Sequence, residues 1–565
     1  MRREIEHNRN GKTGIPEIDE YIDIVRKEEY PACEDQKQLC DMLRRIFMTE
    51  ELYVDVDQLA EYMGYQKYFP YALYPWEKFC FALHNCVYRA DGQLRFPFLI
   101  INIGRGGGKN GYLAFEDFCL LTPTNGIKEY HIDIFATSED QAKQSFSDIY
   151  NVLQDNTAKM KRHFRWTKEL IVNADTGSEL RFRTSNAKTK DGGRPGKVDF
   201  DEYHAYENYK LIDVAVTGLG KKRLPRRTII TTNGIVRDGP YDDLLRTCEQ
   251  VLSGEIDDNG MLPFICRLTD EEQINDKRNW HKANPSLRYF PDLQYEMDLE
   301  YVQYLQNPIA NKSFAIKRMN IMPKHSEGEI TTWDNISATN QELDENRCAG
   351  QICVGGIDYA KTTDFVSACL DFDIDGEHID ICHTWVCRHS ADLPRIKAPL
   401  EQWEAAGLLT MVDAPEISPD LPVWWIAQKL AELGASMPYI GIDNYRYTLL
   451  AKSLKEYLYM SDEDGWKNVM LIRPSDEMQT IPLITSDFNN HRFIWGDNPL
   501  LRWAAWNSKL ITSAAGNTTY GKIEPLSRKT DPFKAIVAAR CARVKAGMTA
   551  SSVGTGNFET KVYTY

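Results

Sequence analysis

The sequence lacks the long apolar runs of a membrane protein and the cysteine spacing of a secreted or zinc-binding one. No apolar run approaches the roughly 18 residues that cross a bilayer. The charged N-terminal stretch Met1 to Glu4 also has no apolar signal-peptide core. The 13 cysteines form no Cys-x-x-Cys pair, which favours reduced thiols over disulfides. We therefore expect a protein that is not secreted, works in a cytoplasm and needs no membrane.

The sequence also has fewer basic than acidic residues. A net charge of −15 argues against a protein that coats DNA nonspecifically, but it leaves room for a local basic channel. Basic residues cluster at 159–165, 181–197 and 221–227, and each cluster fits either a phosphate-binding surface or an ordinary solvated face. With 565 residues, 42% hydrophobic and 26% charged, the chain has room for two or three globular domains.

A glycine-rich loop separates a predicted strand from a predicted helix. The apolar run Phe96 to Ile103 is typical of a buried parallel strand, and apolar residues at helical spacing begin at Tyr112. Glycines let backbone N–H groups turn inward toward a triphosphate, the helix N-terminus adds positive potential, and a lysine reaches the outer phosphates. The candidate nucleotide-binding residues of this loop are Gly104, Arg105, Gly106, Gly107, Gly108, Lys109 and Asn110.

The loop departs from the usual G-x-x-x-x-G-K-[ST] spacing. Ile103 stands where that pattern has its first glycine, and Asn110 replaces the serine or threonine that normally contacts magnesium. Taken alone, the loop therefore fits either a variant Walker A motif or a glycine turn in an unrelated α/β domain.

Two later segments strengthen the nucleotide hypothesis. Asp201 and Glu202 end a β-prone run about 90 residues after the loop, where P-loop enzymes place a magnesium ligand followed by a residue that polarises water. The apolar strand 228–232 then ends in small hydroxyls before Asn233 and Gly234. Helicase-like motors place such a strand beside the Walker B strand, although an edge strand with an Asn-Gly turn explains it equally well.

The alternation of elements predicts several domains. Residues 1–70 are polar and helix-prone, and residues 71–325 alternate β-like and helical stretches, as in a parallel sheet with flanking helices. A polar, glycine-bearing stretch at 326–348 reads as a linker. A second α/β pattern occupies 349–565.

Three aspartates in the second domain suggest a two-metal site. Asp358 and Asp443 each end an apolar strand, and Asp531 is expected to cap a helix with Pro532 in its first turn. RNase H-like nucleases gather two divalent metals with carboxylates placed in this way, and hard oxygen ligands suit Mg²⁺ or Mn²⁺. Each aspartate alone is better explained as a cap or loop residue, and only the three together make the metal site an equal alternative.

Two other patterns in this domain are better explained by strands. Residues 371–376 imitate a calcium loop, but Cys382 occupies the position of the bidentate glutamate, so an Asp-Gly hairpin turn is the better interpretation. Cys382, His383, Cys387 and His389 match no zinc spacing and lie among β-prone residues.

The succession of these motifs resembles the large terminase subunit of a tailed bacteriophage, which packages DNA with ATP and cuts the concatemer. The resemblance covers about residues 70 to 545 and adds Trp76 and Glu77 as the adenine motif before the variant Walker A. The segment 314–320 is similar to the interdomain junction of that family. The resemblance to this family implies a RecA/ASCE-like P-loop ATPase followed by an RNase H-like nuclease. The first domain would bind ATP with Mg²⁺, and the second would bind two Mg²⁺ or Mn²⁺.

The resemblance also implies roles and partners. It makes Lys109, Glu202 and the three aspartates catalytic, Asp201 the magnesium ligand, and Asp364 an auxiliary candidate. Glu77 departs from the glutamine usual in the family. The implied partners are double-stranded DNA, a portal protein, a small terminase subunit and further copies in a pentameric ring, transiently docked on the procapsid in the host cytoplasm.

A superfamily 2 helicase is the alternative, because Asp201 to His204 also reads as a DExH box. Such a helicase needs a second RecA-like domain, whereas the C-terminal half of this chain offers spaced aspartates. An inactive DNA-binding descendant is the third possibility.

Overall fold

A computed structural model describes residues 2–5, 12–27, 30–184, 194–308, 310–322, 329–361, 365–396, 398–463, 465, 467–513, 516–524 and 526–548. The chain divides into two compact units, Met1–Pro323 and Lys324–Tyr565. Most of the basic cluster at 181–197, the start of the expected linker and Asp364 lie outside the described residues. Within the described ranges, no helix is long and apolar enough to cross a membrane.

The first unit is a mixed α/β structure. Its strands are β1 (Arg2–Glu4), β2 (Leu52–Asp55), β3 (Val87–Arg89), β4 (Phe98–Asn102), β5 (Ile132–Ala136), β6 (Phe164–Trp166), β7 (Ile171–Asn173), β8 (Glu179–Thr184), β9 (Lys197–Asp201), β10 (Arg226–Thr231) and β11 (Met261–Ile265). Its helices are α1 (Pro16–Lys27), α2 (Glu34–Thr49), α3 (Val56–Gly64), α4 (Pro75–Cys86), α5 (Lys109–Leu121), α6 (Glu139–Asp155), α7 (Thr157–Met160), α8 (Lys210–Thr217), α9 (Pro240–Ser253) and α10 (Pro291–Gln306).

The central sheet places the candidate motifs at one edge. Its order is β11-β4-β10-β9-β5-β8-β7-β6, and the pairs from β11 to β8 are parallel. Ile229 of β10 lies opposite both Ile100 of β4 and Phe200 of β9. These strands are parallel and in register, so their carboxyl ends lie along one side of the sheet. The segments that follow them there are the glycine loop, the acidic pair and the Thr231 turn. The predicted parallel α/β fold is confirmed.

A smaller hydrophobic cluster is formed by residues that follow β11 in the sequence. Residues 268–321, which we call the cap segment, contain α10 and a π-helical turn, Phe314–Arg318. Their apolar side chains pack together around the buried Trp280 and Phe314, separately from the main core. The cap segment is therefore a compact subdomain with its own core.

The second unit is a mixed sheet with helices. Its strands are β12 (Ile352–Asp358), β13 (Val366–Ile374), β14 (Glu377–Cys387), β15 (Leu409–Val412), β16 (Ser436–Asp443), β17 (Val469–Ile472), β18 (Phe493–Ile494), β19 (Ser508–Thr512) and β20 (Thr518–Lys522). Its helices are α11 (Trp333–Ser337), α12 (Leu400–Ala405), α13 (Asp420–Leu433), α14 (Tyr447–Ser453), α15 (Pro474–Asn489), α16 (Pro499–Trp506) and α17 (Asp531–Lys545).

The strand order of this unit is that of an RNase H-like sheet. The order is β15-β14-β13-β12-β16-β17; β12, β13 and β14 pair antiparallel, whereas β12-β16 and β16-β17 are parallel. The predicted hairpin turn at Asp375-Gly376 is present, with both residues at positive φ. The expected helix at Asp531 is also present, but its N-cap is Thr530, and Asp531 is its first helical residue.

Candidate functional site

The glycine loop connects β4 to α5 through left-handed backbone. Gly106 has φ 87° and Gly108, the N-cap of α5, has φ 103°, values at which any side chain is strained. A Cβ on Gly108 would also lie 2.8 Å from Oε1 of Glu77. The glycines are therefore needed for the shape of the loop, which brings the N-terminus of a 13-residue helix to the sheet edge.

Lys109 points back into the loop. Its buried ammonium donates to the carbonyl oxygens of Ile103 at 3.0 Å and Gly104 at 3.4 Å. Burial lowers the pKa of Lys109 to about 8, although Glu202 and Asp201 oppose the shift. The positive charge thus lies inside the curve of the loop, where an anion would relieve its desolvation.

Asp201 and Asn110 meet beside this lysine. Asp201 is the buried last residue of β9, and Nδ2 of Asn110 lies 3.5 Å from its Oδ2. Burial, reinforced by Glu202, raises the pKa of Asp201 to about 7. A buried carboxylate near a lysine and a helix N-terminus fits a magnesium ion with its phosphates, because the cation would offset the cost of burying the acid.

Glu202 is held by a histidine that also contacts the neighbouring strand. Glu202 itself has φ 48°, a left-handed conformation that is rare outside glycine. Nδ1 of His204 lies 3.1 Å from Oε2 of Glu202 and 3.1 Å from Oγ1 of Thr231. Burial, together with the charge of Lys317, lowers the pKa of His204 to about 2, so this imidazole is neutral at physiological pH and Nδ1–H donates.

Residues of the cap segment form hydrogen bonds with the backbone of the glycine loop. The backbone N–H of Gly104 donates to the carbonyl of Ala283 at 2.8 Å, and that of Arg105 donates to the carbonyl of Lys317 at 2.7 Å. Arg318 donates to the carbonyl of Arg105 at 2.7 Å and pairs with Glu300 of α10. No motif in the sequence indicates that these cap residues belong to the nucleotide site.

The two residues of the expected adenine motif lie in the interior. Trp76 donates its Nε1–H to Oγ of Ser286 at 2.8 Å and stacks on Phe264 at a centroid distance of 5.4 Å. The buried Glu77 accepts the backbone N–H of Tyr74 at 2.7 Å. Burial raises the pKa of Glu77 to about 8. Both side chains support the loop from behind, and their contact with a base stays a prediction.

A group of buried carboxylates between α5 and β9 surrounds a lysine. Among the described residues, one group of potential ligand atoms lies within 4.8 Å of one another, and it consists of Glu116, Asp117 and Asp199. The ammonium of Lys197 lies 2.5 to 2.9 Å from all three. Burial also raises the pKa of Asp199 well above its ordinary value and that of Asp117 to about 6, so protonation reduces the negative charge that Lys197 has to balance. The cluster joins α5 to β9, and we do not assign it a metal.

In the second unit, Asp358 and Asp443 lie side by side. They end the neighbouring parallel strands β12 and β16, in which Ile357 lies opposite Ile442. Oδ1 of Asp443 accepts the backbone N–H of Tyr445 at 2.8 Å.

The helix α17, which begins with the third aspartate, packs closely on the two strands that end in Asp358 and Asp443. A Cβ on Gly356 would lie 2.1 Å from the carbonyl of Ala535, and one on Gly441 would lie 2.1 Å from that of Ala538. Glycine is therefore required where the helix lies on the sheet. One helical turn back from Ala535 is Asp531, which Lys522 approaches to 3.2 Å. The oxygens of the three aspartates do not all lie within 4.8 Å of one another.

Three of the four residues that imitate a zinc site are strand residues, as expected. Cys382, His383 and Cys387 belong to β14, and His389 follows it in a turn. All 13 cysteines of the chain are free thiols.

Two sequence models of known domains match the chain. The model described as "Terminase large subunit, ATPase domain" matches residues 75–250, and that described as "Terminase large subunit, endonuclease domain" matches residues 255–417. Together they match more than half of the chain. The second match begins inside the first compact unit, but β11 pairs with β4, so we place those early residues with the ATPase sheet.

The similar proteins include large terminase subunits of other bacteriophages. The terminase large subunit of Lactococcus phage SK1 is 23% identical over 460 residues, 78% of this chain and 81% of the relative. Protein YmfN of Escherichia coli (strain K12) is 24% identical over 332 residues, 56% of this chain and 70% of the relative. The crystal structure of the HK97 bacteriophage large terminase aligns with a TM-score of 0.46 and 16% identity, over 86% of this chain and 99% of that one.

Proposed function

The chain belongs to the terminase large-subunit family, and from that premise we propose which of its residues carry out the two reactions. It is an enzyme with an ATPase domain and an endonuclease domain, which acts on DNA during genome packaging. A superfamily 2 helicase is not favoured, because the second unit matches a nuclease domain where a helicase has a second motor domain.

We assign nucleotide binding to the loop Gly104–Asn110. Lys109 contacts the outer phosphates, and the glycine N–H groups and the α5 N-terminus surround them. Asp201 and Asn110 are placed to hold Mg²⁺ between them, and Glu202 polarises the attacking water. The single observation that supports this assignment best is the convergence of Lys109 and Asp201 at one sheet edge. Trp76 and Glu77 would serve the base side of the site.

We assign phosphodiester cleavage to Asp358, Asp443 and Asp531. The pairing of β12 with β16 and the close packing of α17 on Gly356 support this assignment. Such a set of oxygen ligands suits two Mg²⁺ or Mn²⁺ ions, which supply an activated water and stabilise the leaving oxygen. ATPase and endonuclease domains of this family use a nucleotide and divalent metal; the identity of the ions here is our proposal.

We further propose the partners that the family resemblance implies. These are double-stranded DNA, the portal protein, a small terminase subunit and further copies of the chain in a pentameric ring. The assembly would dock transiently on the procapsid in the host cytoplasm. Pull-down with the purified portal and mass photometry of the complex would test the ring.

Paired substitutions test the two sites separately. Lys109→Ala or Glu202→Gln should abolish ATP hydrolysis and leave Mn²⁺-dependent plasmid cleavage in place. Asp358→Asn or Asp443→Asn should do the reverse, so each pair is the folding control for the other. Cleavage that survives both aspartate changes would refute the nuclease assignment. ATPase activity that persists without Lys109 would refute the loop assignment.

A further inference from the structure

An exposed aromatic and two arginines lie near Asp443, one of the carboxylates that we assign to the nuclease site. Tyr445 is 82% exposed, the largest exposure among the large hydrophobic residues described. It belongs to the turn that follows β16, in which the N–H of Arg446 donates to the carbonyl of Asp443 at 2.9 Å. The same turn donates the N–H of Tyr445 to the Asp443 carboxylate. The ring is therefore tied by one short turn to a candidate metal ligand.

Two guanidinium groups flank this turn. Asn444 donates its N–H to the carbonyl of Ile472 at 3.1 Å, so Arg473, which follows Ile472, begins beside the turn. Arg446 and Arg473 are both exposed, and neither forms an ion pair with any residue that the structure describes. Arginines without acidic partners, placed next to a solvent-facing ring, fit a partner that offers phosphates and flat rings.

We propose that Tyr445, Arg446 and Arg473 form a strand-binding rim that holds DNA at the cleavage site. Tyr445 stacks on a base or sugar of the strand to be cut, and the arginines bind the phosphates on either side. This rim rests on the proposed function, because it is defined by its position beside Asp443.

The chain offers a matched control for the tyrosine. Tyr459 is 72% exposed and precedes β17, at the end of the strand opposite to Asp443, where Asn468 contacts its carbonyl at 3.5 Å. Tyr445→Ala and Tyr459→Ala therefore remove the same ring from two exposed loops of one unit. Thermal melting of each full-length variant checks that the fold is kept.

The test measures Mn²⁺-dependent cleavage as a function of DNA concentration. Loss of one stacked base corresponds to about a 5- to 150-fold rise in the KM for DNA, with kcat changed far less. Tyr445→Ala should show this rise, Tyr445→Phe should not, and Arg446→Ala with Arg473→Ala should weaken binding and flatten its salt dependence.

The other outcomes would contradict either the rim or the nuclease assignment. An unchanged KM in Tyr445→Ala, or an equal rise in Tyr459→Ala, overturns the rim. Normal cleavage with lost portal binding also overturns it, and would make the ring part of a protein interface. Cleavage that persists in Asp443→Asn refutes the underlying nuclease assignment instead.

A second inference concerns the cap segment. Nζ of Lys317 lies 2.5 Å from Nε2 of His204, whose other ring nitrogen lies beside Glu202. The carbonyl of the same lysine accepts the N–H of Arg105 in the glycine loop. Burial lowers the pKa of Lys317, with Arg105 and Arg237 adding to the effect and Glu202 opposing it. A partly buried cation thus sits between the loop and the residue assigned to polarise water.

The structure assigns Lys317 as a further phosphate-binding cation of the ATP site, with His204 as the positioning residue that holds it. The neutral imidazole accepts from the ammonium at Nε2 and donates at Nδ1 toward Glu202. It therefore sets the spacing between the cation and the catalytic carboxylate. A terminal phosphate beside Glu202 would come within reach of Lys317. This assignment rests on the loop as the ATP site.

Nucleotide affinity distinguishes this role from a structural one. Lys317→Ala should weaken binding of a β,γ-imido ATP analogue by about 10- to 150-fold, the value of one charge-assisted hydrogen bond, while ADP binding changes little. Lys317→Arg should recover part of the loss. Lys277→Ala, at an exposed lysine of the same cap segment, is the control and should match the wild type.

Equal losses for the analogue and ADP, or a lowered melting temperature, would show a merely structural lysine and overturn the assignment. Unchanged affinity for both nucleotides would overturn it as well. Wild-type binding of the analogue by Lys109→Ala would instead refute the loop as the ATP site.

Discussion

Replacing Glu77 with glutamine should make the first unit more stable at neutral pH. The Glu77 side chain is buried behind the glycine loop, one oxygen accepts the N–H of Tyr74, and the other faces Gly108. Lys78 is the neighbouring cation that favours its ionised form, and burial outweighs that influence. Glutamine keeps the shape and the acceptor, and it removes the titrating group.

The magnitude follows from the pKa. Burial raises the pKa of Glu77 from its ordinary 4.5 to about 8, so the folded state keeps a proton that the unfolded chain releases. Wild-type stability therefore falls as pH rises from about 4.5 to about 8 and changes no further above that. At pH 7 the difference is up to about 3 kcal/mol, or between about 3 and 10 °C in melting temperature for a unit of this size.

Calorimetry of the full-length chain from pH 5 to pH 9 tests this expectation. The gain in melting temperature of Glu77→Gln over wild type should grow between pH 5 and pH 8 and then level off. Glu61→Gln changes an exposed glutamate of α3 and should give no such slope. A gain that is independent of pH, or a loss of stability at pH 8, would refute the claim that Glu77 is buried as a neutral acid.

Three further substitutions test the packing of α17, the charge of Lys197 and the metal contact of Asn110. Gly356→Ala would force a methyl group into α17, so Mn²⁺-dependent cleavage should fall steeply while ATPase activity stays, whereas Gly64→Ala at an open position should affect neither. Lys197→Met would leave three buried carboxylates without their cation and should cost about 3–5 kcal/mol by denaturant titration of the ATPase unit; an unchanged midpoint would contradict that role. Asn110→Ser, which supplies the usual hydroxyl ligand beside Asp201, should lower the Mg²⁺ concentration needed for half-maximal ATPase activity.

The contact between the glycine loop and the cap segment extends the proposed ATP site beyond its sequence motifs. Arg318 joins the carbonyl of Arg105 to Glu300 of α10, and Lys317 joins Arg105 to His204. The loop is therefore hydrogen-bonded directly to a subdomain with its own hydrophobic core.

The sequence by itself determined the order and type of the main elements. Apolar runs, the glycines before Lys109 and the aspartates that end β12 and β16 are local patterns, and local patterns fix where strands end and which side chains follow them. Parallel strands then bring their carboxyl ends to one edge, so Lys109 and Asp201 could be expected to meet. Even the departures, such as Asn110, were visible in the sequence.

Only the tertiary structure decided which distant residues complete these sites. Nothing in the sequence near Lys317 indicates that its ammonium meets His204, and nothing near Lys197 indicates that it pairs with the acidic cluster between α5 and β9. These contacts join residues far apart in the chain, and they depend on the path of the backbone and on side-chain packing. Burial likewise follows from packing, because the same Glu77 is an ordinary acid in an exposed helix and a neutral one behind the loop.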